Sequence, residues 1–226
     1  MANVTIILGK SGTGKSTSIK GLDSKETVVL NTLKKRLPFK GSNSLYNEQN
    51  KNLFNIDDYT QVISILNVIG DKAPHVKNVI IDDSIYVMRK EFFKRAKEAG
   101  YGKFTELAQH FQQIIATAEN LRPDLNVFFV LHSEEIINDK TIVGHKVSTV
   151  GKLLEDQYNP VEAVTIVLFS AVKYDDKGAA SYGFYTHKCM QGSVEIPAKS
   201  PDGMFEEDFI PNDLGIVVKA MNEYYN

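Results

Sequence analysis

Short, wholly apolar runs alternate along the chain with longer stretches in which apolar residues recur at helical spacing. Val4 to Leu8, Thr27 to Leu30, Asn78 to Ile81 and Asn126 to Leu131 are the runs. They are short and rich in β-branched or aromatic residues, which predicts buried strands. Between them, Val62, Ile63, Leu66 and Ile69 share one face of a helix that Asp57 and Asp58 can cap and that runs to Gly70. A second helix is expected from Ile85 to Ala99, stopped by Gly100. Phe104, Leu107, Phe111, Ile114, Ile115, Ala118 and Leu121 set the period of a third. Val164 to Val172 and Ser181 to His187 read as late strands around a turn at Asp175-Asp176-Lys177-Gly178, and Asp213 to Tyr225 as a closing helix.

Strands that alternate with helices predict an α/β fold, a mostly parallel sheet with helices on both faces. The two late strands are expected to extend it as an antiparallel edge. Residues 32–55 and 133–152 carry no strong period; the first reads as irregular and the second, with Gly144, Lys146 and Gly151, as a mobile loop. No repeat, low-complexity tract or linker divides the chain, so a single domain over 1–226 is expected.

Composition narrows the class only a little. With 226 residues, 42% hydrophobic and 24% charged, the chain is long enough to bury a core and ordinary for a soluble protein. The longest apolar run, Val127 to Leu131, falls far short of the roughly 20 residues of a membrane span. No secretory leader is visible at Met1-Ala2-Asn3-Val4, and the lone Cys189 fits a reducing compartment, so a cytoplasmic protein without membrane contact is expected. A net charge of −2 means that any nucleic-acid binding rests on local patches.

The first run is followed at once by Gly9-Lys10-Ser11-Gly12-Thr13-Gly14-Lys15-Ser16, then by Thr17 and a short helix expected from Ser16 to Leu22. The three glycines let the backbone curl until its N–H groups point inward at phosphate oxygens. The helix turns its positive end toward the same anion. Lys15 can reach the β- and γ-phosphates and the Ser16 hydroxyl can ligate Mg²⁺. Because the pattern sits directly after an apolar strand and opens a helix, Gly9 to Thr17 is read as a phosphate loop for Mg·ATP, not as a glycine-rich surface turn.

An acidic residue on a neighbouring strand should hold the metal's shell, and Val79-Ile80-Ile81-Asp82 delivers one to the sheet's C-terminal edge. Asp83 can orient or deprotonate the attacking water. The alternative is that one of these aspartates caps the helix beginning near Ser84. His132 ends another buried strand; it either faces the γ-phosphate and reports its presence, or is a satisfied structural group.

With phosphate loop, acidic strand and polar-ended strand in that order, the chain resembles the RecA-like ATPase core. It is similar to small phage nucleotide-binding proteins, among them the single-domain annealing recombinases of the Sak type. The likeness rests on the Gly9–Ser16 loop, Leu37-Pro38-Phe39, Ile81-Asp82-Asp83-Ser84 and Leu131-His132-Ser133-Glu134. It continues in Ser148-Thr149-Val150-Gly151-Lys152 and Lys199-Ser200-Pro201-Asp202-Gly203-Met204-Phe205. The resemblance implies ATP-dependent or ATP-modulated binding of single-stranded DNA and strand pairing in phage recombination. It implies that the loop after the polar-ended strand, residues 133–152 with Lys140, His145, Lys146 and Lys152, faces DNA. It also implies a homo-oligomer with ATP at subunit interfaces, where Lys188, expected on a late strand, reaches the γ-phosphate of the next subunit.

One departure stands out. RecA-like enzymes place a glutamate just after the second strand, and this chain has Val28-Val29-Leu30-Asn31-Thr32-Leu33-Lys34 there. Either Asp83 or Glu134 takes over the water, or ATP acts mainly as a switch. A small-molecule kinase shares the phosphate loop, but Arg36, Arg89, Arg95 and Arg122 are scattered without a lid pattern. A non-catalytic, ATP-switched oligomeric adaptor is the third reading.

Overall fold

The computed structural model describes residues 1–150 and 158–225. The parallel strands are β1 (Asn3–Gly9), β2 (Thr27–Asn31), β3 (Leu53–Phe54), β4 (Asn78–Asp82), β5 (Asn126–Asn138) and, late in the chain, β7 (Ile166–Tyr174). They lie in the order β7-β1-β5-β4-β2-β3, every neighbouring pair parallel. Their side chains alternate between two buried layers. Val4, Ile6 and Leu8 of β1, with Val127, Phe129 and Leu131 of β5, face one layer, while Ile7, Phe128 and Val130 face the other. Burial on both faces is why these strands read as unbroken apolar runs and not as alternating ones.

Helices α2 (Tyr59–Lys72) and α4 (Gly102–Glu119) cover the first layer through Val62, Leu66 and Ile69 and through Leu107, Phe111 and Ile115. Helix α3 (Ile85–Lys94) packs beside α4. The second layer lies under a six-residue 3-10 helix, Ser16–Gly21, and the C-terminal helix α6 (Leu214–Tyr225), which bury Ile19, Leu214, Val217 and Met221. The expected helix after the phosphate loop is therefore shorter and tighter. It stops at Gly21, where a Cβ would collide with the Asp213 carboxylate that opens α6. As expected, Asp58 caps α2, accepting a hydrogen bond from the Thr60 amide at 2.9 Å. At the opposite edge of the sheet, Asn3 donates to Asn126 and Asn126 to Asn78, each at 3.1 Å. This amide ladder ties β1, β5 and β4 in register.

Four expectations change. Residues 133–147 are not an irregular loop: β5 runs on past His132 and pairs antiparallel with β6 (Thr141–Val147). The two-residue turn is Asp139-Lys140, both left-handed at φ 45° and 66°, the geometry that joins twisted hairpin strands. Gly151 and Lys152 lie outside the described residues. Second, β7 and β8 (Ala180–Tyr185) pair antiparallel as expected, but β7 also joins the sheet parallel to β1, and β11 (Phe209–Pro211) adds a further antiparallel strand beyond β8. Lys188 therefore follows β8 and does not lie on it. Third, α3 ends at Lys94. Arg95 there gathers Glu91, Glu98 and Glu106, at 3.1, 2.8 and 2.6 Å, and folds the chain back toward α4. Fourth, residues 32–55 contain a short helix α1 (Ser42–Leu45) and β3, which hold Tyr46 in the second layer. The remaining short elements are α5 (Pro160–Ala163), β9 (Cys189–Gln191) and β10 (Val194–Ile196), the last beside β6. No helix among the described residues is long and apolar enough to cross a membrane.

Candidate nucleotide-binding site

The chain between β1 and the 3-10 helix curls as its glycines permit. Gly12 and Gly14 hold φ of 82° and 93°, a region closed to most side chains. At Gly14 a Cβ would also come within 2.5 Å of Asn212 Nδ2, so this position excludes alanine twice over. Ser11, Gly12, Gly14, Lys15, Ser16 and Thr17 line a cleft of about 630 Å³ at the C-terminal edge of the sheet. Open α/β sheets bind ligands at that edge. A larger cleft of about 880 Å³ opens at the other end of the strands, around Met1, Asn3, Lys77 and Asn126, away from the loop. The other predicted loop residues shape the curl from outside. Thr13 Oγ1 donates to the Lys10 carbonyl at 2.9 Å, Ser170 Oγ donates to the Thr13 carbonyl at 2.8 Å, and the Lys10 ammonium pairs with Glu135 of the hairpin. Gly9 ends β1 in register with His132.

Lys15 is folded into the loop and donates to the carbonyls of Gly9 at 2.8 Å and Lys10 at 2.6 Å. Burial lowers its ammonium to about 8, against the pull of Asp83 and Asp82. Ser16 Oγ donates to Asp82 Oδ1 at 2.7 Å. Burial first, then the neighbouring Asp83, raises the Asp82 carboxyl to about 6, with the Ser16 hydrogen bond opposing. Asp82 does not stand on the strand next to β1. Strand β5 lies between, and it inserts His132 into the same cleft wall.

Neither aspartate caps α3: its N-cap is Ser84 and no side chain closes that end. Asp83 instead takes a left-handed φ of 54°, which turns its carboxylate along the cleft. There Oδ1 meets His132 Nε2 at 2.8 Å and Oδ2 stands 3.6 Å from the Lys35 ammonium. Burial pushes the Asp83 carboxyl upward, but the His132 hydrogen bond and the charges of His132, Lys35 and Lys15 outweigh it and hold it below the usual carboxylate range. Thr32 Oγ1, at the end of β2, donates to the carbonyls of Asp82 and Asp83 at 2.9 and 2.8 Å. The position after the second strand thus braces the acidic pair without contributing an acid. Glu134, the other acid considered, is held by Lys146 at 3.2 Å and by Ser148 Oγ at 3.2 Å, away from the cleft.

A family model of the AAA domain matches residues 1–200. The chain belongs to the AAA domain family. None of the curated proteins matches it. Membership makes this a P-loop nucleotide-binding domain of the ATPase type, in agreement with the α/β sheet and the loop geometry.

Within this AAA domain the structure brings Lys15, Ser16, Asp82, Asp83 and His132 to one cleft, as the sequence predicts. Lys188 is not among them; it pairs with Glu195 at 2.8 Å near β9 and β10. Five cleft residues escaped sequence reasoning: Lys35, Arg36 and Pro38 on one side, Tyr182 and Asn212 on the other. Lys35 and Arg36 belong to a basic segment, Lys34-Lys35-Arg36-Leu37-Pro38-Phe39-Lys40, whose charge alone does not place it at the cleft. Tyr182 and Asn212 carry no local signal, because strand order alone brings β8 and β11 beside the loop.

Proposed function

We propose that this AAA domain binds and hydrolyses Mg·ATP and uses the terminal phosphate to govern contact with single-stranded DNA, as in phage recombination or annealing. The observation that carries this reading is the Asp83–His132 contact at 2.8 Å. It sits where β5 leaves the parallel sheet and becomes the hairpin, so one histidine spans the acidic wall of the cleft and the base of a separate element.

The residues fit the cation the reaction needs. The Ser16 hydroxyl and Asp82 carboxylate share one point with oxygen donors alone, which suits Mg²⁺. No group of three or more His, Cys, Asp or Glu among the described residues can hold a metal by itself, so phosphate and water complete the shell. Bound Mg²⁺ supplies charge neutralisation on the β- and γ-phosphates. Lys15 exchanges its two loop carbonyls for phosphate oxygens. Asp83 is the acid that orients the attacking water or takes its proton, with His132 and Lys35 fixing the carboxylate.

Two features support a DNA-facing surface. Lys10 of the loop pairs with Glu135 of the hairpin, and Arg89 of α3 donates to Ser148 beyond β6 at 2.7 Å, so loop, hairpin and α3 are mechanically joined. Phe93, in the last turn of α3, and Tyr101, just before α4, are 74% and 86% exposed. They stand in a segment, 89–106, where six basic residues face three acidic ones. All three acids are already bound to Arg95. Exposed rings among cations suit stacked bases and a phosphate backbone. In the same reading the working form is a homo-oligomer, and Lys188 acts across an interface on the next copy's ATP once freed from Glu195.

Phosphate release from ATP, measured with and without a single-stranded oligonucleotide, tests the proposal. Mg²⁺-dependent turnover that the oligonucleotide changes is the expected result. ATP binding without turnover would replace hydrolysis by an ATP-switched adaptor. Turnover indifferent to DNA, from a protein that binds none, would remove the DNA half.

A further inference from the structure

Strand order gives the cleft a direction. Asp82, Asp83 and His132 come from β4 and β5 on one side of β1, while β7, β8 and β11 lie on the other. With Ser16 and Asp82 joined at 2.7 Å, the metal and terminal phosphate belong to the first side. A nucleotide held by the loop at its phosphates must then extend its sugar and base toward the second side, where Tyr182 and Asn212 complete the wall.

Tyr182 stands in β8 opposite Val172 and is 48% exposed. Its ring edge lies 3.2 Å from where a Gly14 Cβ would be, so it abuts the last turn of the phosphate loop. Among the described residues the ring stacks on no other ring. Asn212 ties this corner together. Its backbone amide donates to the Tyr182 carbonyl at 3.2 Å and its Nδ2 to the Gly14 carbonyl at 2.8 Å, while its Oδ1 is buried without a partner. The following residue, Asp213, accepts from the Gly215 amide at 2.7 Å and anchors the start of α6 against Gly21. An aromatic ring therefore stands beside the loop, at the end of the cleft away from the acids, on a backbone that Asn212 ties down.

We propose that Tyr182 is the platform on which the nucleobase stacks, and that Asn212 is the positioning residue that holds that platform against the loop. This rests on the phosphate-loop reading and deepens it by naming the residue that takes the base of the nucleoside triphosphate. Ring-on-base stacking is tolerant of base identity, so Tyr182 supplies affinity for ATP and GTP alike.

Calorimetric titrations with Mg·ATP, Mg·GTP and Mg·tripolyphosphate separate the two layers of the argument. Tyr182→Ala should weaken both nucleotides by roughly tenfold or more and leave tripolyphosphate binding unchanged. Tyr182→Phe, which keeps the ring, should restore nucleotide binding. A Tyr182→Ala protein that binds ATP as the wild type does would overturn the platform and leave the phosphate site standing. Loss of tripolyphosphate as well, from a variant that still unfolds cooperatively, would show the ring acting through Gly14 and also overturn it. A wild-type protein that binds none of the three would instead overturn the phosphate-loop reading beneath it.

Discussion

His132 Nε2 stands 2.8 Å from Asp83 Oδ1, joining the end of one buried strand to the residue just past another. Asp83 makes this contact from a left-handed φ of 54°, with Thr32 bonded to its carbonyl. A non-glycine residue in that region costs of order 1–3 kcal/mol, and such strain persists only where surrounding contacts over-determine it. In the proposed function this contact is the link between nucleotide state and the hairpin. His132→Ala should leave Mg·ATP affinity within a few-fold of wild type while removing the effect of ATP on oligonucleotide binding. Fluorescence titration with and without a non-hydrolysable ATP analogue reads both; an undiminished ATP effect would end the role of His132.

The phosphate loop and the acidic strand were legible in the sequence because their chemistry is local: glycines, lysine and hydroxyl must be contiguous, and a buried strand delivers one carboxylate. The hairpin was not. Its Asp139-Lys140 turn adopts a conformation usually marked by Asn-Gly or Asp-Gly, and Gly144 lies inside β6 facing β10, not at a bend. The far wall of the cleft was hidden for another reason. Asn212 bonds Gly14 across nearly the whole chain length, and no window of sequence contains both.

In the proposed function Asp82 holds the metal, so Asp82→Ala should lower turnover roughly a hundredfold or more while nucleotide affinity changes far less, since Lys15 and the loop amides would still hold the phosphates. Steady-state and binding measurements on the same variant test this. Turnover that survives would move the metal role to Asp83.

The cleft also predicts a pH window. Asp82, raised to about 6, must lose its proton before a cation binds, so Mg²⁺-dependent affinity should fall as pH drops through about 6. Lys15, lowered to about 8, loses its charge above that, so affinity should fall again as pH rises through about 8. Stability of the metal-free protein runs the other way for Asp82. A carboxyl raised from 3.8 contributes stability that is fully present below 3.8 and lost as pH rises through about 6. The melting temperature of Asp82→Asn should therefore gain on wild type as pH rises from about 5 to 8. A constant difference between the two would show that Asp82 is not a buried, reluctant acid.

Phe93→Ala and Tyr101→Ala should each weaken single-stranded DNA binding by about 1–3 kcal/mol at fixed salt, because each removes a stacking face. Neutralising Lys140 and Lys146 should instead flatten the dependence of affinity on salt, by about one counterion for each phosphate that the variant no longer neutralises. Titrations at several salt concentrations distinguish the two surfaces. Ring variants that bind like wild type would return the strand to the hairpin alone.

The phosphate loop itself is tested most directly by calorimetric titration of Mg·ATP into wild type and Lys15→Ala. The Lys15 ammonium donates to the Gly9 and Lys10 carbonyls of its own loop and belongs to neither apolar layer, so its removal should leave both buried layers intact. Wild type should bind, and the variant should lose roughly a hundredfold or more in affinity while melting cooperatively. A well-folded Lys15→Ala protein with wild-type affinity would contradict the account at its root.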